Sequence, residues 1–344
     1  MISFAFVASL STKFDSDSLN KQQFLQLAWE QYRPIHRGTP FKIAPDLEQF
    51  TNPGELDQEF SDDATNFLKF VRLTAGLNAN IVVESDLSNK AQWGANLLRL
   101  NGTLDHRVPK PDALTMDQYA IASQGTVQSN SSKFYGRRTD LVEMIFLQVL
   151  DDRSNVWNVG HRRWFLNPYL KKIGLGFVQS GQIPTSYGTI FATDQSGDRD
   201  NPPPFVAWPS PNAFPLQFCT PTMPWSVTLN PNQYQKPIPS EISITLHNTS
   251  INTSWQFKPN DNNSRRTDSE FTANFCGKRY GFGPSLIFRP DKTNLYIENG
   301  EYEVTITGLK TTSGEPTQIN YRTRLFKLGG PVLLHESPLE RSGF

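Results

Sequence analysis

The strongest constraint on the fold is a change of hydrophobic period that begins after about residue 168 and is complete beyond three consecutive prolines, Pro202, Pro203 and Pro204. From about 61 to 168, apolar residues recur every three or four positions, which is the stripe a helix buries. Downstream, apolar residues alternate in short runs separated by turn residues, which is the pattern of half-buried strands. One kind of element cannot satisfy both periods, so the chain must be helical first and β second. The prolines fit a linker or rigid crossover, because each has a fixed φ and no N–H to give a ladder.

The helical signals run from about 61 to 168. "SDDATNFLKFVRLTAG" opens with acidic N-cap candidates and lines up Phe67, Phe70, Val71 and Thr74. "ESDLSNKAQWGANLLRLNG" is the clearest helix: Ser85 or Asp86 can cap it, Leu87, Ala91, Ala95 and Leu98 form its stripe, and Gly102 suits a left-handed end. "TMDQYAIASQG" reads as a shorter helix stopped by Gly125. "TDLVEMIFLQVLDD" has Thr139 as cap and Leu141, Val142, Ile145, Phe146 and Val149 as its apolar face. Ahead of these, residues 1–60 read as an extension with one amphipathic helix in "NKQQFLQLAWEQY", Phe24, Leu27, Ala28 and Tyr32 facing inward, stopped by Pro34. "KKIGLGFVQ" and "SYGTIFATD" are glycine-bounded strands joined by "SGQIPT". Beyond residue 205, "PWSVTLNP", "SEISITLHN", "SWQFKP", "PSLIFRPD" and "GEYEVTITGL" are short alternating strands that suggest an all-β sandwich of immunoglobulin-like type. The expectation is an α+β chain with an extension over 1–60, a mixed domain over 61–200 and a β-sandwich over 201–344.

Composition narrows the function. At 344 residues each half can bury its own core. Thirty-three basic residues balance thirty-three acidic ones, so no net field draws the chain to nucleic acid. No run approaches the ~18 apolar residues of a membrane span. The start, "MISFAFVASLS", reads either as the remnant of a secretory signal or as a first strand. Cys219 and Cys276 are the only cysteines; they suit one disulfide in an oxidising compartment, or two buried thiols. Sequons at Asn101, Asn130, Asn248, Asn252 and Asn262 are no more than a chain this rich in Asn, Ser and Thr shows by chance. Gly-x-Ser-x-Gly, phosphate-loop and His-Glu-x-x-His patterns are absent, and neither cysteine shares an element with a histidine.

Of the five histidines, His161 stands out in "NVGHRRWFLNP"; His36, His247 and His335 show no partnering pattern. The bland reading of His161 is a ring that caps or packs a turn, with Trp164 and Phe165 as core. Arg162 and Arg163 are expected to split, one pairing with Asp151 or Asp152 and one reaching solvent.

The order of parts carries a resemblance. "FVRLTAGL", "DLSNKAQWGANLLRLNGTLDH" and "VGHRRWFLNPYLKKIGLGF" make residues 63–195 similar to the CAP superfamily (cysteine-rich secretory, antigen 5 and pathogenesis-related proteins, or SCP domain), in the style of its bacterial members. The resemblance implies an α-β-α sandwich whose cleft sets two histidines against two glutamates, and in some members holds zinc. By position the histidines are His106 and His161, which would be the metal ligands. The glutamates do not carry over: Ser129 takes the place of one and Val149 of the other, with Glu143, Asp151 and Asp152 close enough in sequence for a shifted carboxylate. The implied cleft is therefore His106, His161, Ser129, Glu143 and Asp151, with zinc as the implied metal and no cofactor required. The implied function is a secreted, extracellular binding module that takes a lipid, a sterol, or a protein or polysaccharide partner. A metal-assisted hydrolase or peptidase using the same histidines, and a structural or adhesive surface protein, are the alternatives.

Overall fold

The computed structural model describes residues 20–329 except 36–37, 137–138, 151, 153–154, 181–183, 259–270, 277–279 and 291–295, with backbone alone at 271–276. It is an α+β chain whose helices precede most of its strands. No helix among the described residues is long and apolar enough to cross a membrane.

The helices are α1 (Lys21–Tyr32), α2 (Gln58–Thr74), α3 (Ser85–Asn101), α4 (Met116–Val127), α5 (Leu141–Leu150) and the short α6 (Gly160–Phe165). Their caps differ from the sequence expectation by a few residues. Asp57, not the later acids, caps α2 by accepting from Glu59 N and Phe60 N at 2.9 and 3.2 Å. Glu84, not Ser85 or Asp86, caps α3 through Leu87 N, and Gly102 ends it at φ +63° as expected. Thr115 and Gln118 form a capping box on α4, which continues past Gly125 to Val127. On α5 the carboxylate of Asp140 accepts from Glu143 N at 2.7 Å, the task expected of Thr139. Helix α1 buries Phe24, Leu25, Ala28 and Trp29, while Leu27 stays 43% exposed. Its stripe is thus rotated by one position from the expected one.

A four-stranded sheet runs in the order β3-β5-β6-β4 (Val82–Val83, Lys172–Ser180, Thr185–Phe191, Ser129–Tyr135), with β3 parallel to β5 and the rest antiparallel. Helices cover both faces. On one face, Gly174 and Gly176 lie two apart, and α3 approaches so closely that an added Cβ at either would fall about 2 Å from its backbone at Leu87 and Ala91. Thr189 Oγ1 donates to Ala91 O at 2.6 Å on the same face. On the other, Phe177 meets Phe60 of α2 at 5.4 Å between ring centres, and Gly188 receives Met144 of α5.

The β half contains two further sheets. One runs β12-β13-β9-β7 (Phe271–Cys276, Ser285–Arg289, Trp225–Leu229, Phe205–Trp208). The other runs β11-β10-β14-β15-β8 (Thr253–Phe257, Ser243–Asn248, Glu301–Lys310, Pro316–Phe326, Asn212–Pro215), with β8 parallel to β15. They pack face to face: Trp225 meets Tyr302 at 5.7 Å, Phe257 meets Phe288 at 5.3 Å, and Phe205 meets Tyr321 at 6.0 Å. β1 (Phe41–Ile43) and β2 (Glu55–Leu56) pair apart from these sheets.

One continuous apolar core links the halves. Phe218, just after β8, lies 5.3–6.2 Å from the rings of Phe67, Phe70 and Phe146 on the helical side and 5.5 Å from Trp208. Helix α1 closes the same seam: Lys21 Nζ donates to Ser210 Oγ and Pro211 O, and Trp29 Nε1 donates to Gly329 O.

Candidate functional site

The turn between α5 and α6 builds the site. Asp152 and Val159 both adopt left-handed backbone, at φ +52° and +43°, which folds the turn back on itself. The Asp152 carboxylate then grips His161 twice: Oδ2 accepts from the His161 backbone N–H at 3.0 Å, and Oδ1 lies 2.6 Å from Nδ1. Asn130, in β4, donates to His161 O at 3.0 Å. This bonding assigns the proton to Nδ1 and leaves Nε2 as the nitrogen that can donate to or ligate a partner. The Asp152 side chain is 2% exposed and that of His161 17%, so the pair is largely buried and the small accessible area belongs to the histidine. Burial pulls the imidazole pKa down, yet the charge of Asp152 and its hydrogen bond together outweigh burial, so the net shift is above the ordinary 6.5. The pair favours an imidazolium against a carboxylate.

His106 is exposed in the loop after α3, its Nδ1 donating to Thr126 O at 2.7 Å while Thr126 Oγ1 returns a bond to His106 O. Ser129 is buried at the first position of β4, and its hydroxyl has no hydrogen-bond partner among the described residues. Glu143 is buried within α5 and takes a 2.5 Å bond from Thr139 Oγ1. Asp151 lies outside the described residues; its neighbour Asp152 is the acid that meets His161. Among the described residues, no three His, Cys, Asp or Glu side chains are grouped as a metal set. Cys219 is a free thiol, 3.9 Å from Pro215 O, with its pKa pushed up by burial; the Cys276 side chain lies outside the described residues.

The arginines depart from expectation. Neither reaches solvent: Arg162 is 1% and Arg163 3% exposed. Arg162 donates to Val149 O, Leu150 O, Pro224 O and Ser226 Oγ, tying the end of α5 to β9. Arg163 donates to Gly283 O at 2.7 Å and lies 5.2 Å from the Tyr280 ring. Phe165 is buried as expected, and Trp164 is half-buried.

Sequence reasoning missed Asn130 and Tyr280. Asn130 carries a sequon, but it is 3% exposed and its amide is spent on His161 O, so it does not serve as a glycan acceptor. A separate cleft of about 380 Å³ is lined by Glu84, Asp86, Lys90, Gln128, Lys172 and Asp194 among others, and by neither histidine. Asp194 is occupied in it, accepting from the backbone of Lys171, Lys172 and Ser196.

No family model and no curated protein matches the chain. Among solved structures, an outer surface protein from Borrelia burgdorferi is similar at 15% identity, covering 40% of this chain and 94% of that one, with a TM-score of 0.27.

Proposed function

We propose that this chain is an extracellular binding module, a CAP-type α-β-α half fused to an immunoglobulin-like sandwich, in which His161 anchors an acidic group of the ligand. The sequence resemblance over 63–195 and the helices on both faces of β3-β5-β6-β4 support the first half of that reading. The strand orders support the second: with β7 as A and β15 as G, the sheets read D-E-B-A and C′-C-F-G-A′.

The observation that carries the function is the 2.6 Å contact between Asp152 and His161 at the surface end of a buried turn. An imidazolium fixed in this way donates Nε2–H to a carboxylate or anionic headgroup without having to be ordered on binding. The ligand class is therefore an acidic lipid or sterol, or a carboxylate on a protein or polysaccharide partner. Palmitate is the probe. Its affinity for the full chain should be higher near pH 6 than near pH 9, because the cation is present below the raised pKa and lost above it. His161→Ala should weaken binding roughly tenfold, the loss of about 1.4 kcal/mol that one charge-assisted bond supplies. Equal affinity in wild type and His161→Ala, at both pH values, would sink the reading.

One observation favours a metal-assisted hydrolase as the second reading. Both His106 and His161 hold an oxygen through Nδ1, the arrangement usual for imidazoles that ligate zinc through Nε2. Two imidazoles are short of the three or four ligands zinc takes. Native mass spectrometry after zinc exposure discriminates: one retained zinc in wild type and none in His106→Ala/His161→Ala would favour this reading over the first.

A further inference from the structure

Residues 158–163 run along the seam between the halves, and most of them are gripped by the β half. Asn158 Nδ2 donates to the Tyr280 hydroxyl at 3.4 Å. Val159 packs on Ile287 of β13, both fully buried. Gly160 lies under Tyr280 so closely that an added Cβ would stand 3.1 Å from Cε1 of the ring. Arg162 reaches Pro224 O and Ser226 Oγ of β9, and Arg163 reaches Gly283 O and the Tyr280 face. His161 differs: among the described residues, its hydrogen bonds go to Asp152 and Asn130 of the helical half, with Asn155 Nδ2 a further 3.5 Å from its Nδ1.

The burial of β9 and β13 explains how this is possible. Trp225, Val227, Leu286 and Phe288 face the opposing sheet, but Ser226, Thr228, Ser285 and Ile287 on the other face are also buried. That second face is where Val159 and Arg162 dock. The sheet is thus the template on which the His161 segment is laid down.

We infer that the His161 site is composite, and that Tyr280, supplied by the β sandwich, is the positioning residue that sets His161 through Gly160 and Arg163. The inference rests on the reading of His161 as the ligand-contacting group. It gives the sandwich a role in the site itself, beyond that of a separate partner surface. Anything that displaces the segment around Tyr280 moves the imidazole, and a ligand seated on the imidazole is felt at β13.

The test uses the full chain at a fixed pH of about 8 with Tyr280→Ala, Tyr280→Phe and Gly160→Ala. The readouts are the His161 ring Cε1–H resonance, amide exchange over 158–163, and palmitate affinity. Tyr280→Ala should shift the resonance, speed exchange roughly tenfold and weaken palmitate, while Tyr280→Phe, which keeps the ring over Gly160 and Arg163 and loses only the long 3.4 Å bond from Asn158, should stay close to wild type on all three. Gly160→Ala, whose methyl presses on the ring, should shift the resonance as well. A resonance unmoved in both alanine variants, even with faster exchange, would overturn the inference, as would a folded Tyr280→Phe that behaves like Tyr280→Ala. The resonance needs no ligand. If wild type fails to take palmitate, the binding reading falls and the resonance still decides the role of Tyr280.

Discussion

Arg162 sits 1% exposed with donors directed at acceptors on α5, β9 and the loop before β9. Replacing it with leucine would leave those buried oxygens without partners, and each such loss costs about 1–3 kcal/mol. Arg162→Leu should therefore lower stability by about 3 kcal/mol or more, read as a shift in denaturant midpoint at unchanged slope. A shift below about 1 kcal/mol would mean that the seam does not depend on it. Lys21 makes a prediction of different form. Its half-buried side chain donates to Ser210 and Pro211, and desolvation lowers its pKa to about 7 from 10.5. The unfolded chain then holds more protons than the folded one between those values, so this group's contribution to stability rises as pH increases from about 7. Thermal melts from about pH 7 to about pH 9 should show that component in wild type and lack it in Lys21→Met. The same slope in both would refute it. At this scale the sequence singled out His161 and offered Asp152 among the acids near it. Asp152 meets His161 across a turn whose backbone is left-handed at Asp152, and no periodicity records that.

The elements were legible where one face is buried and one is wet. Strands β10 and β14 alternate buried and half-exposed residues as their sequences do. In β9 and β13 every residue is buried, because the site segment covers the face that a lone sandwich would expose to water. Their serines and threonines, Ser226, Thr228 and Ser285, lie buried in the seam. Helix starts shifted for a related reason. Several carboxylates near each start could cap, and the one chosen is set by which turn must bring its apolar residues to the core. The pair of glycines in "IGLGF" marked a strand correctly but hid its purpose, the contact of α3 backbone with the sheet. Gly176→Ala would place Cβ 2.3 Å from the Ala91 backbone. It should destabilise by about 1–3 kcal/mol or more by forcing α3 off the sheet, measurable by denaturant unfolding. A neutral effect would show that the helix is not seated as described.

At the scale of the whole molecule, the change of period after about residue 168 marks where the helices end, and the α+β character agrees with it. The fusion of the halves left no comparable mark. Phe218 and Phe67 are far apart in sequence, and aromatic rings that meet across a seam have the same composition as rings within one core. The extension also proved to be part of the body, since α1 buries Trp29 against Phe70 at 4.9 Å. Residues 205–344 expressed alone would uncover Phe218, Ile287 and the Arg162-binding face of β9. That fragment should melt well below the full chain and self-associate on size-exclusion chromatography. A monomeric fragment with the full chain's melting temperature would show the halves to be independent.

If Asp152 holds His161 as the charged anchor of the site, histidine-ring NMR titration of the full chain shows it most directly. His161 should titrate above the ordinary 6.5 in wild type and drop in Asp152→Asn, where burial acts without the opposing carboxylate charge. A His161 that titrates at or below 6.5 and does not move in Asp152→Asn would contradict that role.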